Sequence, residues 1–150
     1  MSDQQTRTVA KSEITVLAQE IVAMLKKEPT AGATVVALHG DLGAGKTTLV
    51  QAIGAHLGVI EHITSPTFTI MKQYETTDSH FETLVHMDAY RIDDLLELGP
   101  LRFDALLAEP KTLLCIEWAE KIKAALPANI LTIALEIADE EARTVHISRG

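Results

Sequence analysis

Hydrophobic residues recur along the chain with two different periods. Over residues 12–27 they return every three or four positions, which predicts an amphipathic helix with Ser12 as its N-cap. The same spacing over residues 46–57 predicts a second helix. Residues 34–39, in contrast, form a short apolar run rich in β-branched side chains, which is typical of a strand buried on both faces. A glycine-rich segment, 40–45, joins this strand to the second helix.

The rest of the chain alternates between the same two patterns. Further strands are predicted at residues 67–74, 81–87, 112–116, 130–137 and 143–148, and short helices at 93–98, 101–109 and 119–126. Turn residues at 76–80 and 138–142 join neighbouring strands into hairpins. Strands that alternate with helices indicate an α/β fold, and we expect one domain over residues 1–150. Its sheet should be mostly parallel but mixed, with helices on both faces and antiparallel hairpins.

Composition and charge narrow the class of partner. The chain has 150 residues, is 47% hydrophobic, and has no apolar run close to the roughly 20 residues that span a bilayer. Its N-terminus is polar and its one cysteine, Cys115, has no disulfide partner, so we expect a cytoplasmic protein. The net charge is -8 and the 13 basic residues are scattered. Because proteins that grip nucleic acid usually cluster Lys and Arg, we expect a small molecule or a protein partner instead.

One segment carries a specific chemistry. Residues 40–47 read Gly-Asp-Leu-Gly-Ala-Gly-Lys-Thr and match the P-loop pattern G-x-x-x-x-G-K-[ST] at every fixed position. Glycines let the backbone N–H groups turn towards phosphate oxygens, and the following helix points its N-terminus at the same anion. Lys46 is expected to reach the β- and γ-phosphates, and the Thr47 hydroxyl to bind Mg²⁺. The predicted phosphate-binding residues are Asp41, Leu42, Gly43, Ala44, Gly45, Lys46 and Thr47.

Two acidic residues follow apolar runs at the ends of predicted strands, Asp88 after 84–87 and Glu117 after 113–116. The C-terminal strand ends of an open α/β sheet line its ligand crevice, so both are candidate metal ligands, with a solvated carboxylate as the alternative. Glu117 could instead orient the attacking water. Thr67 could sense the γ-phosphate and Mg²⁺ as switch threonines do, or it could simply open a strand after the turn at Ser65-Pro66.

The histidines and the tryptophan do not suggest a second site. The six histidines lack the spacing of a zinc site, and His86 is expected inside a strand. Trp118 is expected to pack at the surface, with stacking on a base or a partner as the alternative.

Missing sequence features narrow the nucleotide and the class of P-loop protein. Guanine-specific GTPases carry N-K-x-D, but the single asparagine, Asn129, is followed by Ile130, so ATP is favoured by elimination. Small-molecule kinases usually close an arginine-bearing lid, whereas the arginines here are isolated and no long insertion is present. The acid and arginine within 88–91 nevertheless keep a kinase open. A switch that binds nucleotide without hydrolysing it also stays open, because no arginine finger is evident.

Four segments together resemble the TsaE (YjeE) family in order and spacing. They are 40–48, 65–68, 86–91 and 117–120, which read GDLGAGKTT, SPTF, HMDAYR and EWAE. The resemblance covers almost the whole chain, from the start of the first helix to the C-terminal hairpin. Members usually show H-x-D-x-Y-R and E-W-[PSA]-E, and Met87, Ala89 and Ala119 fall at the variable positions.

The resemblance implies a P-loop NTPase fold and an ATPase of bacterial tRNA modification. Such a protein binds ATP and Mg²⁺ and supports formation of threonylcarbamoyladenosine at position 37 of tRNAs that read ANN codons. It works with the proteins TsaB and TsaD rather than on tRNA directly. TsaD carries out the transfer, and ATP hydrolysis, weak in the isolated subunit, resets the complex.

The resemblance also implies roles for individual residues. Lys46 and Thr48 would contact phosphate, Thr48 on the α-phosphate side. The residues implied in metal binding or hydrolysis are Thr47, Thr67, Asp88 and Glu117, with Thr67 as the switch threonine and Glu117 either a metal ligand or the group that orients water. Independently of the resemblance, residues 12–15 are a candidate contact for the base.

Overall fold

The computed structural model of the chain describes residues 4–28, 30–41, 43–66 and 70–149, and within them one sheet of seven strands organises the fold. The strands are β1 (Gln4–Ala10), β2 (Thr34–His39), β3 (Met71–Glu75), β4 (Thr83–Asp88), β5 (Thr112–Glu117), β6 (Leu131–Asp139) and β7 (Ala142–Arg149). Their order across the sheet is β1-β7-β6-β2-β5-β4-β3.

The sheet is parallel at its centre and antiparallel at both edges. β6, β2, β5 and β4 run parallel. β3 pairs antiparallel with β4 at one edge, and β7 and β1 add antiparallel strands beyond β6 at the other. The predicted mixed α/β fold is therefore confirmed. Among the described residues, none of the helices combines the length and the apolar character needed to cross a bilayer.

Helices lie on both faces of this sheet. They are α1 (Ile14–Lys26), α2 (Lys46–His56), α3 (Phe103–Leu107), and 3-10 helices at Lys11–Glu13, Leu95–Leu98 and Ala119–Ala125. Leu17 of α1 and Leu49 of α2 belong to the larger apolar cluster, on one face. Phe103 of α3 and Ile122 belong to the second cluster, on the other. The predicted arrangement of helices on both faces is thus confirmed.

The central strand β2 contributes to both clusters, because successive side chains of a strand point to opposite faces. Val36 and Leu38 face the cluster that contains α1 and α2, whereas Val35 and Ala37 face the other. Burial on both faces explains why the run at residues 34–39 is almost entirely apolar or β-branched. The strand predicted there is confirmed with the same bounds. The C-terminal end of β2 leads directly into the P-loop.

The N-terminal strand β1 was not predicted. Of the residues in β1, only Val9 is buried, so the strand leaves almost no hydrophobic period in the sequence. It forms because β7 offers an open edge over the whole length of β1. The predicted cap at Ser12 is also wrong: α1 begins at Ile14, after a 3-10 turn. There the Glu13 carboxylate, rather than a serine hydroxyl, accepts a hydrogen bond from the backbone N–H of Ala10 at 3.0 Å.

Several other predicted boundaries shift by a few residues. The strand expected at 81–87 is Thr83–Asp88, and the one expected at 112–116 extends to Glu117, so both acidic candidates are the last residues of their strands. The helix expected at 119–126 is a 3-10 helix, broken at Ile122 by a non-helical backbone angle (φ -126°). The strand expected at 67–74 is described only from Met71, because residues 67–69 lie outside the described part of the chain.

Candidate nucleotide site

The P-loop connects the end of β2 directly to the first turn of α2. Gly45 precedes α2 with φ 105°, and Gly40 opens the loop with φ 145°. A Cβ atom at Gly40 would lie 2.6 Å from the carbonyl oxygen of Leu135 in β6. Glycine is therefore required at position 40 both by its backbone angle and by the neighbouring strand. The Ala44 N–H donates to the Asp41 carbonyl at 3.0 Å, which closes a turn within the loop.

The Lys46 side chain lies back over the P-loop and against an aromatic ring. Its Nζ donates to the Gly40 carbonyl at 2.5 Å and lies 3.9 Å from the ring centroid of Trp118. Trp118 directly follows β5, with a left-handed backbone (φ 59°) that turns the chain into the next 3-10 helix. Its ring is also 5.1 Å from that of Tyr90. Instead of only packing at the surface, Trp118 therefore forms a wall of the site that holds the lysine ammonium.

The two strand-end acids meet at the same edge of the sheet. Asp88 and Glu117 are directly paired in the parallel register of β4 and β5, and both are buried. The Thr47 hydroxyl donates to Oε2 of Glu117 at 2.9 Å, so the first turn of α2 is tied to the end of β5. Oδ1 of Asp88 accepts the Tyr90 backbone N–H at 2.9 Å. The structure thus brings the three residues predicted to bind metal, Thr47, Asp88 and Glu117, to one place.

A fourth side chain joins this group, and the sequence reasoning missed it. His86 lies in β4 and is completely buried. Its Nε2 is 2.5 Å from Oε2 of Glu117. Two signals were available: the fixed histidine of the H-x-D-x-Y-R segment, and its position two residues before Asp88, because residues i and i+2 of a strand lie on the same face. Without the pairing of β4 to β5, that spacing does not indicate which carboxylate the imidazole meets.

The Glu117 carboxylate is held in its charged form. Burial acts to raise the pKa of Glu117, but the hydrogen bond from His86, the hydrogen bond from Thr47 and the positive charge of Lys46 outweigh it, and the pKa is lowered. Cys115, two residues earlier on the same face, behaves in the opposite way. Burial, together with the charge of Glu117, raises the pKa of its thiol to about 12. The site therefore holds an anionic carboxylate next to an unreactive thiol.

The first turn of α2 and the two strand-end acids border an open cleft of about 610 Å³. Its lining consists of Gly43, Gly45, Lys46, Thr47, Thr48, Ser65, Asp88, Tyr90, Glu117 and Trp118. A cleft of this size is in the range of small-ligand sites. At its centre, α2 presents its first turn, where backbone N–H groups and the helix dipole favour an anion.

A second, smaller cavity of about 290 Å³ lies on the other side of the P-loop. It shares Gly43, Gly45 and Thr48 with the cleft, and its lining is mainly apolar. Arg143 of β7 also borders it, and the Arg143 guanidinium donates to the Ala44 carbonyl at 3.2 Å. The terminal hairpin therefore braces the P-loop from outside while forming one wall of this cavity.

The model of one protein family, described as "Threonylcarbamoyl adenosine biosynthesis protein TsaE", matches residues 8–145. The chain belongs to the TsaE family. The tRNA threonylcarbamoyladenosine biosynthesis protein TsaE of Aquifex aeolicus is 38% identical to this chain over 135 residues, which are 89% of this chain and 86% of that protein. The protein of the same name from Bacillus subtilis is 34% identical over 145 residues, 97% of this chain and 85% of that protein.

A solved structure supports the same assignment. The crystal structure of Bacillus subtilis YdiB superimposes with a TM-score of 0.75 at 29% sequence identity and covers 99% of this chain and 87% of that one. The resemblance to the TsaE family that the four sequence segments predicted is confirmed, and so is the fold that the resemblance implied.

The donor atoms of this TsaE family member suit Mg²⁺. The Thr47 hydroxyl and the carboxylates of Asp88 and Glu117 are hard oxygen donors, which Mg²⁺ prefers. The part of the chain that the structure describes contains no group of three or more His, Cys, Asp and Glu side chains arranged for a metal. Mg²⁺ is usually bound through one or two carboxylates together with substrate phosphates rather than in an all-protein cage, so the two acids meet its requirement.

The remaining predicted site residues fall into two groups. Thr48 borders both cavities, and Ala44 borders the smaller one, whereas Asp41 borders neither. Leu42 and Thr67 lie outside the described residues, so their roles stay predictions. Three residues earlier in the sequence than Thr67, the Thr64 hydroxyl accepts a hydrogen bond from Nζ of Lys72 at 2.8 Å, which ties Thr64 to β3.

Proposed function

We propose that this chain is an ATPase that binds ATP with Mg²⁺ and supports threonylcarbamoyladenosine formation on tRNA by acting on a TsaB–TsaD complex. One observation carries the proposal: Thr47, Asp88 and Glu117 meet at the first turn of the helix that follows a complete P-loop. A phosphate chain in the cleft would have the N–H groups of that turn on one side and the two acids on the other. The names of the relatives support the pathway.

Each side chain has a task that its position supports. Lys46 neutralises the terminal phosphates, and its anchorage over the loop by Trp118 keeps the ammonium within the cleft. Thr47 and one or both acids hold Mg²⁺, which supplies the positive charge that stabilises charge developing on the phosphates. Glu117, kept anionic, accepts a hydrogen bond from the attacking water and orients it. Among the described residues, the lining of the cleft includes no arginine, which fits slow hydrolysis until a partner supplies charge.

The smaller cavity is the proposed position of the base. It adjoins the cleft at Thr48, the residue assigned to the α-phosphate side. One bound nucleotide could therefore extend from the cleft, which would hold its phosphates, into this cavity, which would hold its base. Its apolar walls suit a flat heterocycle. Lys11 and Ile14 line it, which supports the candidate base contact at residues 12–15.

The proposed partners are proteins rather than RNA. The chain has a net charge of -8, with 21 acidic and 13 basic residues. An acidic protein is repelled by phosphodiester backbones but is attracted to a basic protein surface. This balance supports docking on TsaB–TsaD in a pathway whose final product is a modified tRNA.

Phosphate release separates the proposal from its alternatives. ATP, Mg²⁺ and the purified chain are combined with and without TsaB and TsaD, and a Lys46→Ala variant serves as the control. We expect slow release from the chain alone, faster release with both partners, and none above background from Lys46→Ala. Transfer of the γ-phosphate to a small acceptor would identify a kinase, and tight binding of intact ATP would identify a switch. No release above the Lys46→Ala control would refute the ATPase.

A further inference from the structure

His86 lies in the centre of the molecule, where a polar side chain requires a reason. It belongs to β4, and its directly paired neighbour on β5 is Cys115. Because alternate residues of a strand share a face, His86 and Asp88 lie on the same face of β4, as do Cys115 and Glu117 on β5. The imidazole therefore reaches Glu117 diagonally across the two strands, a distance that a long or aromatic side chain can cover.

The hydrogen bond between His86 and Glu117 has a defined direction. An ionised carboxylate can only accept, so the Nε2–H of His86 donates to Oε2 at 2.5 Å. The Thr47 hydroxyl donates to the same oxygen at 2.9 Å. Within the described part of the chain, these hydrogen bonds to the Glu117 side chain both end on Oε2. Two donors converging on one oxygen fix the carboxylate plane and leave Oε1 for a ligand in the cleft.

For the stability of the fold, the gain from the hydrogen bond between His86 and Glu117 is offset by the second ring nitrogen of His86. Its second ring nitrogen, Nδ1, is buried and has no hydrogen-bond partner among the described residues. A buried polar atom without a partner destabilises the folded state. An apolar side chain of similar size would fill the same space without that cost, as Leu84 and Val85 do on either face of this strand. Such an exception in a well-packed interior points to a functional requirement.

We propose that His86 is a positioning residue that holds Glu117 through Oε2 so that Oε1 stays directed to the metal and the attacking water. This inference rests on the proposed ATPase, because it assigns Glu117 its orientation in that reaction. His86 does not border the cleft, so it would act on the reaction only through Glu117. The groups around a metal ligand that orient it typically contribute 10- to 100-fold to affinity or activity.

Two amide substitutions test the contact with little change in polarity. In His86→Gln the amide nitrogen stands about where Nε2 stood and can still donate to Glu117. In His86→Asn the amide nitrogen stands about where Nδ1 stood, so it is too far from Glu117 to donate a hydrogen bond to it. Val85→Ala is the matched control, because Val85 is buried on the opposite face of the same strand, away from Glu117. It reports what a defect in packing of β4 does to activity without touching the proposed contact.

The measurements are kcat and KM for ATP with TsaB and TsaD present, the Mg²⁺ dependence of the rate, and ATP binding by isothermal titration. We expect His86→Asn to lower kcat about 10- to 100-fold and to require more Mg²⁺, with KM for ATP changed less than about 3-fold. His86→Gln should recover to within about 3-fold of the wild-type kcat, and Val85→Ala should keep a near-normal kcat. In a variant that already carries Glu117→Gln, His86→Asn should lower kcat little further, because His86 acts through Glu117.

The outcomes distinguish this inference from the proposed function. A wild-type chain that neither binds nor hydrolyses ATP would overturn both. A wild-type chain that hydrolyses ATP, together with a His86→Asn variant of equal kcat and Mg²⁺ dependence, would overturn only the role of His86. Equal loss in the Asn and Gln variants would also overturn it, because the effect would then follow from the loss of the imidazole rather than from the donor to Oε2.

Discussion

Replacing Glu117 by glutamine tests whether the folded chain stabilises this carboxylate. The amide keeps the shape of the side chain and removes its charge. The two hydrogen bonds that end on Oε2 come from His86 at 2.5 Å and Thr47 at 2.9 Å. A hydrogen bond to a charged acceptor contributes about 1.5–3 kcal/mol and a neutral one about 0.5–1.5 kcal/mol, so the pair weakens by roughly 2 kcal/mol.

Burial opposes this loss, because the neutral amide avoids part of the desolvation cost of a buried charge. The pKa of Glu117 is lowered overall, which means that the favourable interactions exceed that cost in the folded state. We therefore expect Glu117→Gln to reduce the free energy of unfolding by about 1–2 kcal/mol at pH 7. Hydrolysis should fall by about 100-fold or more, with a much smaller change in ATP binding.

The pH dependence of stability follows from the direction of the same pKa shift. A carboxyl group with a lowered pKa stabilises the folded state fully above its ordinary pKa, about 4.3 for glutamate. This contribution disappears as the pH falls through the lowered pKa of Glu117. The difference in stability between wild type and Glu117→Gln should thus shrink as the pH falls below about pH 4.

Urea unfolding at pH 7, 5 and 3.5, followed by circular dichroism in a chelating buffer without nucleotide, measures this difference. Glu140→Gln is the control, because Glu140 is exposed in the turn between β6 and β7 and should change stability by less than about 0.5 kcal/mol. A Glu117→Gln variant at least as stable as wild type at pH 7 would refute the reasoning. The desolvation cost would then exceed the contribution of the two hydrogen bonds.

Backbone angle, an ion pair and a buried thiol give further measurable consequences. Gly40→Ala should reduce the free energy of unfolding by more than about 2 kcal/mol, and Gly43→Ala by only about 1 kcal/mol. Both positions have a positive φ, but of the two only a Cβ at position 40 would meet a backbone oxygen. Equal losses of stability in urea unfolding would contradict this. For Asp78, burial acts to raise the pKa, but hydrogen bonds from Lys26 and from backbone N–H groups lower it. Asp78→Asn should therefore reduce stability by about 1–2 kcal/mol at pH 7, a difference that shrinks as the pH falls through the lowered pKa and that thermal or urea unfolding would detect. Cys115, whose pKa burial raises to about 12, should resist iodoacetamide at pH 8 until urea unfolds the chain, and rapid labelling of the folded protein would argue against its burial.

The features predicted most accurately are those encoded locally. The run at 34–39 specifies a doubly buried strand because every residue before His39 is apolar or β-branched, and the P-loop pattern follows it without a gap. Glycine at positions 40 and 45 is needed for the backbone of the loop itself, so the motif can be recognised in any context. The acidic candidates were found because a strand end is visible as the point where an apolar run stops. The predicted N-cap at Ser12 was wrong because a capping residue is defined by local backbone geometry, and a preceding strand can change that geometry.

The features that were missed depend on contacts between distant segments. β1 shows almost no hydrophobic period, and it exists because β7 presents a free edge to it. Trp118 covers Lys46 because the chain turns sharply after β5, and His86 meets Glu117 because β4 and β5 are neighbours in one particular parallel register. Hydrophobic periodicity specifies which face of an element is buried but not which element lies beside it. The sequence therefore identifies the P-loop motif and the two candidate acids, whereas strand order and register determine which side chains lie beside them.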